Sequence, residues 1–482
     1  MQIKNAKKLT SGMYRGKKVS KLIGNVKLKQ GTTVIWCDSA YYLDKANTLV
    51  AFGHVHVKSK KLDVYGDFLE YDGNSKQSYI RKNVRLRDGK SMTLTTDNLD
   101  YNFGSGVASY FGGGKVVDKG TTLTSEGGTF YRYSGNYHFK KNVVLNRNNQ
   151  VLNTDTLRYV AKTQNAYFYG PTNITTGNRQ LYAESGIYNT KTETAAFKEN
   201  AWIKTPTFYL EGDSIFFDNE KDFGYAKDNA FLFSYKDSVT ITGDEMFRWG
   251  KEFKSKIIGN PVMRQISGGD TTFLKADTLI SIEDTLNKSN QIYAYDNVSF
   301  LKGSLQGKCD SMAYVTTDSV LNFYNHPVLW SGGSQITADT IYVVLEGNGI
   351  KSLHANVNAF VISEDKTKTE YNQVKGKNLI GFFEDGKMVQ VDVSKNGESI
   401  YYAKDDDGEL MGINKIECGE MNIFMKEGEV DNILFLTTPD ARFIPPSQLT
   451  EESSHLSGFK WMESVRPKIS LFLSSFDRNT KK

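Results

Sequence analysis

The chain has 482 residues, of which only 39% are hydrophobic, and its 42 glycines, 27 tyrosines and 28 phenylalanines against eight prolines favour many short strands joined by tight turns. No run approaches the roughly 18 to 20 apolar residues that span a bilayer, and the lysine-rich first twenty residues lack the apolar stretch of a secretion signal. Residues 1–100 hold 19 Lys and Arg against 9 Asp and Glu, which is +10, so the remaining 382 residues carry −5 of the total of +5. A net charge this mild argues against a nucleic-acid-binding protein. The local basic excess fits either solvated outward positions or attraction of an anionic headgroup or partner.

An acidic residue followed four positions later by an aromatic recurs along the chain, as in Asp38 to Tyr42 and Asp67 to Tyr71. Successive acidic anchors are separated by 29, 30, 29, 29, 29, 29, 31, 33, 33 and 29 residues. The anchors are Asp38, Asp67, Asp97, Glu126, Asp155, Glu184, Asp213, Asp244, Asp277, Asp310 and Asp339. Repeats this short cannot fold alone, so we expect them to stack into one elongated body.

Each repeat contains two runs in which apolar and polar residues alternate, one after a landmark such as Gly24-Asn25-Val26 and one before the anchor. A period of two predicts strands with one face inward and one in water, hence an all-β fold of about 29 residues per repeat. The residues predicted to line the apolar inner face are Val26, Leu28, Val34, Trp36, Val55, Val57, Leu62, Val64, Val84, Leu86, Met92, Leu94, Val143 and Leu145.

The repeat predicts three regions: a regular region at 1–345, a divergent continuation at 346–440, and a C-terminal cap or tail at 441–482. In the second region, residues 405–408 predict an exposed turn and residues 428–436 a last strand. In the third, Ser447 is predicted to cap a short helix that runs through Glu451, Glu452, His455 and Leu456, with Phe459 and Trp461 as apolar anchors. This end is either a lid on the final repeat or a segment that docks to another protein.

Candidate catalytic and metal-binding residues are few. The anchor carboxylates have no fixed basic or nucleophilic neighbour, so turn bonding explains them better than acid and base chemistry. His54 and His56 share one face of a strand, but no third ligand recurs at a useful spacing, and we expect no metal site. The sequence therefore predicts a protein that is not an enzyme and needs no cofactor.

The cysteines and glycine clusters also lack the spacing of a functional motif. Cys37, Cys309 and Cys418 give an odd count without a CxxC pair, so a disulfide framework is not expected. The clusters Gly112-Gly113-Gly114 and Ser331-Gly332-Gly333 lack the following helix and the Lys of a phosphate-binding loop. They predict turns between strands.

The segment from Gly24-Asn25-Val26 through Asp38-Ser39-Ala40-Tyr41-Tyr42, followed by Ala51-Phe52-Gly53-His54-Val55, resembles the OstA-like, or LptA-type, family of lipopolysaccharide transport proteins. The resemblance covers residues 1 to about 345 and extends more loosely to about 440. The chain departs from the family in its length and in its drift after Asp244, where Tyr gives way to Arg248 and Ser281. That drift leaves the continuity of a groove beyond residue 244 open.

The resemblance implies an antiparallel β-jelly-roll, or β-taco, of two facing sheets whose apolar groove holds acyl chains. It also implies a periplasmic protein, possible association with the outer membrane, and a lipid conduit that bridges inner and outer membrane for outer-membrane assembly. Its partners would then be lipopolysaccharide or a related amphiphile, and related β-sheet domains that pair with a strand edge, here expected from Ile3 to Val26. No nucleic acid is expected as a partner.

The alternation of apolar and polar residues alone does not separate an open groove from a closed core. A structural or adhesive β-solenoid without a groove therefore stays open as the alternative function. A polysaccharide-acting β-helix enzyme would need an exposed carboxylate cluster, which the sequence does not show.

Overall fold

The computed structural model describes residues 1–89, 92–147, 149–284, 289–347, 349–365, 369–405, 407–426 and 429–476. These residues form 34 strands that pair antiparallel, mostly as successive hairpins, and five short helical turns. The all-β fold predicted from the period-two pattern is confirmed. None of the helices in the described ranges has the length and apolar character needed to cross a membrane.

The first eighteen strands are, in chain order, β1 Gln2–Asn5, β2 Lys8–Tyr14, β3 Lys17–Gln30, β4 Thr33–Leu43, β5 Thr48–Ser59, β6 Leu62–Asp72, β7 Gln77–Asp88, β8 Met92–Asn102, β9 Val107–Asp118, β10 Thr121–Tyr131, β11 Asn136–Arg147, β12 Gln150–Val160, β13 Asn165–Thr176, β14 Arg179–Asn189, β15 Thr194–Lys204, β16 Phe208–Asp218, β17 Phe223–Ser234 and β18 Val239–Trp249. The next are β19 Lys254–Ile258, β20 Val262–Ser267, β21 Asp270–Lys275, β22 Thr278–Asp284, β23 Ser289–Lys302, β24 Leu305–Val315, β25 Val320–Tyr324, β26 Val328–Ser331, β27 Ser334–Thr337, β28 Thr340–Glu346, β29 Gly349–Glu364, β30 Tyr371–Glu384, β31 Lys387–Lys404, β32 Leu410–Lys426, β33 Glu429–Leu436 and β34 Asp440–Ile444. Short 3-10 turns and two α-helices complete the chain: Gly250–Glu252, Pro446–Gln448, α1 Glu451–Ser454, Glu463–Val465 and α2 Ser470–Leu473.

The chain divides into two compact units. Unit 1 comprises Met1–Pro206 and Glu211–Lys221, and unit 2 comprises Thr207–Leu210 and Asp222–Lys482. The region boundaries expected at residues 345 and 440 both fall within unit 2.

Most strands of unit 1 bend at mid-length, and the sequence landmarks are the bends. In β3, Gly24 and Asn25 have φ of 79° and 51°, and the pairing with β4 skips from Ile23 to Val26. Two successive left-handed residues break the ladder and turn the strand, which glycine and asparagine tolerate best. The landmark was predicted to begin a strand; it is instead a corner inside one.

Each corner divides its strand into two limbs. We call limb 1 the sheet that contains residues 26–30 and 33–37, and limb 2 the sheet that contains residues 20–23 and 39–42, together with the corresponding parts of later strands. In the first repeats, inward side chains of both limbs are fully buried, for example Leu28 in limb 1 and Ala51 in limb 2. The two limbs are therefore the two facing sheets of the expected jelly-roll.

Unit 2 repeats this plan with interruptions. Pro261 and Pro327 follow the corners at Gly259-Asn260 and Asn325-His326, and there the bent strand is split into two separate strands. Proline donates no hydrogen bond to a ladder, which explains the split. Bent continuous strands return in β29 and β31, with corners at Val357-Asn358 and Lys395-Asn396.

The C-terminal segment, residues 445–476, differs from the sequence prediction in two details. Helix α1 is capped by Thr450, whose hydroxyl accepts from the backbone N–H of Ser453, and not by Ser447. The last strand is β34 rather than residues 428–436, because β34 follows it and pairs with β32. Residues 406, 428 and 477–482, which those predictions included, lie outside the described residues.

The C-terminal segment packs against the outer face of limb 1 in unit 2. Leu456 is buried with Ile362, Ile400 and Ile413, and Phe459 and Trp461 pack beside this cluster. Phe472 is fully buried and stacks on Phe273 with ring centroids 5.4 Å apart. Because of this cover, limb 1 of unit 2 buries apolar side chains on both faces.

Three glutamine side chains of limb 1 hold the backbone of this segment. Gln373 donates to the carbonyl of Ser454 and accepts from the N–H of Leu456, at 2.9 and 2.8 Å. Gln335 does the same with Lys460 and Met462, at 2.7 Å each. Gln306, one repeat earlier, donates to the carbonyl of Pro467 at 3.2 Å. A primary amide can bond a peptide group on both sides, so this row recognises an extended backbone.

Candidate functional site

The anchor carboxylates lie at the corners and bond across them. The Asn83 amide donates to Asp67 Oδ2 at 2.6 Å, and His54 Nδ1 lies 2.7 Å from Asp38 Oδ2. The same contact, at 2.5 to 3.2 Å, joins the corner asparagine to the preceding anchor in five later repeats: Asn142 to Glu126, Asn200 to Glu184, Asn297 to Asp277, Asn325 to Asp310, and Asn358 to Asp339. The anchors were expected near turns; they instead brace the bends from mid-strand.

These bonds account for the shifted ionisation at the corners. The hydrogen bonds from Ser311 and Asn325 lower the pKa of Asp310, and the hydrogen bond to Asp38 raises the pKa of His54. His56, in turn, lies with its Nε2 2.7 Å from Asp63 Oδ1. Each imidazole thus has its own carboxylate partner, and the described part of the chain contains no cluster of His, Cys, Asp and Glu that could hold a metal ion.

The remaining candidate motifs lie within the framework of the fold. Gly112 and Gly113 form the corner of β9, with φ of 75° and 100°, rather than the predicted turn between strands. Gly332, by contrast, does lie in the turn between β26 and β27. The three cysteines are free and buried, and desolvation raises the pKa of Cys37 and of Cys309 to about 12.

In unit 1, the aromatic residue four positions after an anchor points into the space between the limbs. Tyr71 and Tyr101 are almost fully buried there, and desolvation raises the pKa of each to about 12. The corresponding residues of later repeats, Tyr159, Tyr188 and Phe217, are only half-buried. A row of aromatic rings therefore runs along limb 2, and the rings become more exposed to solvent after the first repeats.

Most residues predicted to line the inner face do lie there. Val26, Leu28, Val55, Val57, Leu62, Val64, Val84, Leu86, Met92, Leu94 and Val143 are buried between the limbs, and Leu145 is half-buried. Val34 and Trp36 are on the opposite face, because the inward positions of β4 are Thr33, Ile35 and Cys37. The predicted phase of that one strand is wrong by a single residue, which exchanges its two faces.

The space between the limbs is sealed in the first repeats. The limb tips meet there through side chains: Gln30 donates to the carbonyl of Gly73 at 2.7 Å, and Arg132 binds both carboxylate oxygens of Asp88 at 2.8 and 2.9 Å. Inner residues of this part, such as Leu86, have no exposed surface. An acyl chain therefore finds no room between the limbs in this part of unit 1.

The limbs separate further along unit 1 and enclose a cavity of about 430 Å³. Its apolar wall consists of Ile174 and Leu181 from limb 1 and of Tyr188, Phe197 and Phe217 from limb 2. Its polar rim, at the strand tips, consists of Gln150, Thr176, Asn178, Arg179, Glu193, Thr205, Pro206 and Asn219. The volume lies within the roughly 300 to 1,000 Å³ usual for ligand sites.

A smaller cavity lies between the limbs of unit 2. A cavity of about 60 Å³ lies among Met263, Leu274, Phe300, Met312 and Leu321. That is room for about two water molecules, at roughly 30 Å³ each. The larger cavity of unit 1 is therefore the better candidate for a ligand site.

Sequence reasoning did not single out the residues around this cavity, although the repeat contained the signal. Tyr188 and Phe217 occupy the aromatic position four residues after the anchors Glu184 and Asp213. Leu181 precedes its anchor by three residues, as the predicted inner residue Val64 precedes Asp67. Extending the inner-face positions through every copy would have found them.

Comparisons with known proteins find similarity over part of the chain. A model of the OstA-like protein family matches residues 1–147 and 131–213. One similar solved structure is the crystal structure of LptH, the LptA homologous periplasmic component of the conserved lipopolysaccharide transport device from Pseudomonas aeruginosa, which is 11% identical, covers 29% of this chain and 95% of that chain, and has a TM-score of 0.24. No curated protein matches the chain. The corners, anchors and facing limbs of unit 1 thus lie in the part of the chain, residues 1–213, that the OstA-like family model matches.

Proposed function

We propose that this chain is a non-enzymatic carrier of lipopolysaccharide or a related amphiphile, and that the acyl part lies in the unit 1 cavity. The observation that carries the proposal is the cavity itself, about 430 Å³ between two apolar sheet faces with a polar rim. The OstA-like match over the same unit supports the lipid class. Periplasmic location, and a bridge between inner and outer membrane, belong to the same proposal.

The cavity suits an amphiphile because its two ends differ. Each methylene sheltered between Leu181 and Phe217 contributes about 0.8 kcal/mol. The rim carries the guanidinium of Arg179, which suits an anionic headgroup that stays in solvent. Walls of several similar apolar side chains also give the acyl part no single deep minimum, so it can shift within the cavity.

The test is ultraviolet crosslinking in cells with a photoreactive amino acid at Phe217, which is half-buried at the cavity. The matched controls are Leu86, fully buried in the sealed part, and outward Arg85. An adduct that stains for lipopolysaccharide at residue 217 alone is the expected result. Adducts at none of the three sites in a folded, exported protein would overturn the carrier function.

A structural or adhesive β-solenoid is the second candidate, and the sealed part favours it. Between Val19 and Tyr110 the inner residues are buried to the degree of an ordinary core. On that account the 430 Å³ cavity is a packing defect without a ligand. Filling it with Ile174→Phe, at a residue of its apolar wall, then stabilises the fold and changes no phenotype, whereas a carrier loses lipid capture at residue 217.

Partner pairing is proposed for the first strands of unit 1. Strands β1 and β2 both pair with one side of β3, and β4 pairs with its other side. Val26 and Leu28 lie in β3 and are therefore inside the sheet and not at its edge. The edge strands are therefore β1, along limb 1, and β2, along limb 2. In β2, Leu9 and Met13 are 59% and 63% exposed. Charged side chains block edge pairing, so Leu9→Lys with Met13→Lys should abolish co-purification of a β-sheet partner, and the matched change Leu434→Lys should not.

A further inference from the structure

The outer face of limb 1 in unit 1 carries a row of stacked rings and cations. Five side chains from neighbouring strands are in register: Lys27, Trp36, His56, Tyr65 and Arg85. The amino group of Lys27 lies 5.4 Å from the Trp36 ring, Trp36 and His56 stack at 4.8 Å, His56 and Tyr65 stack at 4.4 Å, and the Arg85 guanidinium lies 5.1 Å from the Tyr65 ring. Both terminal cations are held in place by the rings between them.

A second row beside it adds positive charge. Lys29, Lys58 and Arg87 lie on the same face, two residues closer to the limb tips, and are exposed. Asp63 is the carboxylate within this row, and it is engaged by His56 at 2.7 Å and by Lys58 at 3.7 Å. With five Lys and Arg against one carboxylate, Asp63, the two rows place a net charge of +4 on one side of a sheet.

The equivalent outer face in unit 2 is covered by a known partner, the C-terminal segment. There several of the positions hold glutamines and apolar residues, and beneath the C-terminal segment Trp330 has no exposed surface. In unit 1 the same face carries cations and is open to solvent. Its partner must therefore be anionic rather than a segment like residues 445–476.

We propose that this face binds the anionic surface of a lipid bilayer. The cations are spread across strands spaced about 4.8 Å apart, without a recess that would select one shaped partner. Lipid headgroups move laterally and can match any such spacing, whereas an acidic protein would need a fixed complementary pattern. Trp and Tyr beside Lys and Arg are the usual residues at a membrane–water interface.

The test is sedimentation of the full-length protein with vesicles. We expect binding to vesicles of equal parts phosphatidylcholine and phosphatidylglycerol, no binding to phosphatidylcholine alone, and loss of binding at high salt. Each exposed cation contributes roughly fivefold to partitioning. The double variant Lys29→Gln, Arg87→Gln, which leaves the stacked row intact, should therefore bind about 25-fold more weakly.

The matched control is Lys198→Gln with Lys308→Gln, two exposed lysines elsewhere with the same change in net charge. Equal losses in the two double variants would mean a general charge effect and would overturn the proposal. Binding to the polyanion heparin without binding to anionic vesicles would also overturn it, in favour of an acidic macromolecule. These vesicles contain no lipopolysaccharide, so the outcome is independent of crosslinking at residue 217.

Discussion

The attachment of the C-terminal segment depends on its glutamine row, and Gln373→Leu tests this. Leucine keeps the volume and packs against Ile362 and Ile400, so the sheet itself should persist. The change removes two bonds, of 2.9 and 2.8 Å. The buried N–H of Leu456 then has no partner, whereas the carbonyl of Ser454 keeps the bond from the Tyr402 hydroxyl at 3.1 Å. The unsatisfied N–H costs about 1 to 3 kcal/mol and the lost bond to Ser454 about 0.5 to 1.5 kcal/mol, so attachment weakens by about 2 kcal/mol or more.

A loss of about 2 kcal/mol corresponds to a roughly 30-fold larger detached fraction. Helices of four residues such as α1 and α2 are not stable alone, so the detached segment should be cleavable. The assay is limited trypsin digestion, following release of the peptide after the exposed Lys460. Gln180→Leu, at an exposed glutamine of unit 1, is the control. Cleavage of Gln373→Leu at the wild-type rate would refute the reasoning.

Three further outcomes follow from burial. Leu86→Ala, at a side chain with no exposed surface, should lower the free energy of unfolding by about 2 to 5 kcal/mol in urea titrations. Arg87→Ala, at an exposed neighbour, should lower it by less than about 0.5 kcal/mol. Equal effects of the two changes would contradict the sealed interior. Burial raises the folded-state pKa of Tyr101 to about 12, so the stability that its bound proton contributes is present below pH 10 and is lost between pH 10 and 12. An alkaline absorbance titration should show a tyrosine that ionises later than the others. Tyr101→Phe should remove that late component of the titration. Cys37 and Cys309, buried with pKa values near 12, should react with a disulfide reagent only after unfolding, and rapid labelling of the native protein would argue against their burial.

The period of the apolar pattern was enough to predict the strands but not the phase of every strand. Leu62 and Val64 lie five and three residues before their anchor and face inward, as predicted. Val34 and Trp36 lie four and two residues before theirs and face outward. Both faces of β4 offer apolar side chains, so hydrophobicity alone could not choose between them. The spacing to the anchor could have done so.

The role of the repeated landmarks was also beyond local reasoning. Glycine, asparagine and aspartate suggest turns between strands, whereas Asn83 and Asp67 lie in mid-strand and bond to each other across a corner. The contact joins residues 16 positions apart on neighbouring strands. Only the pairing register brings them together, and no rule of local turn chemistry contains it.

The sequence by itself determined the repeat, the all-β class and the inward row of most apolar residues, because a period of two and a step of about 29 residues are properties of the chain alone. Tertiary structure decided where the interior is sealed and where it is open. That difference depends on contacts between limb tips, such as Arg132 with Asp88, whose partners are 44 residues apart. It also decided that one outer face is covered by the C-terminal segment, since Gln373 and Ser454 are 81 residues apart. Long-range contacts of this kind depend on how the limbs close, which a local pattern cannot specify.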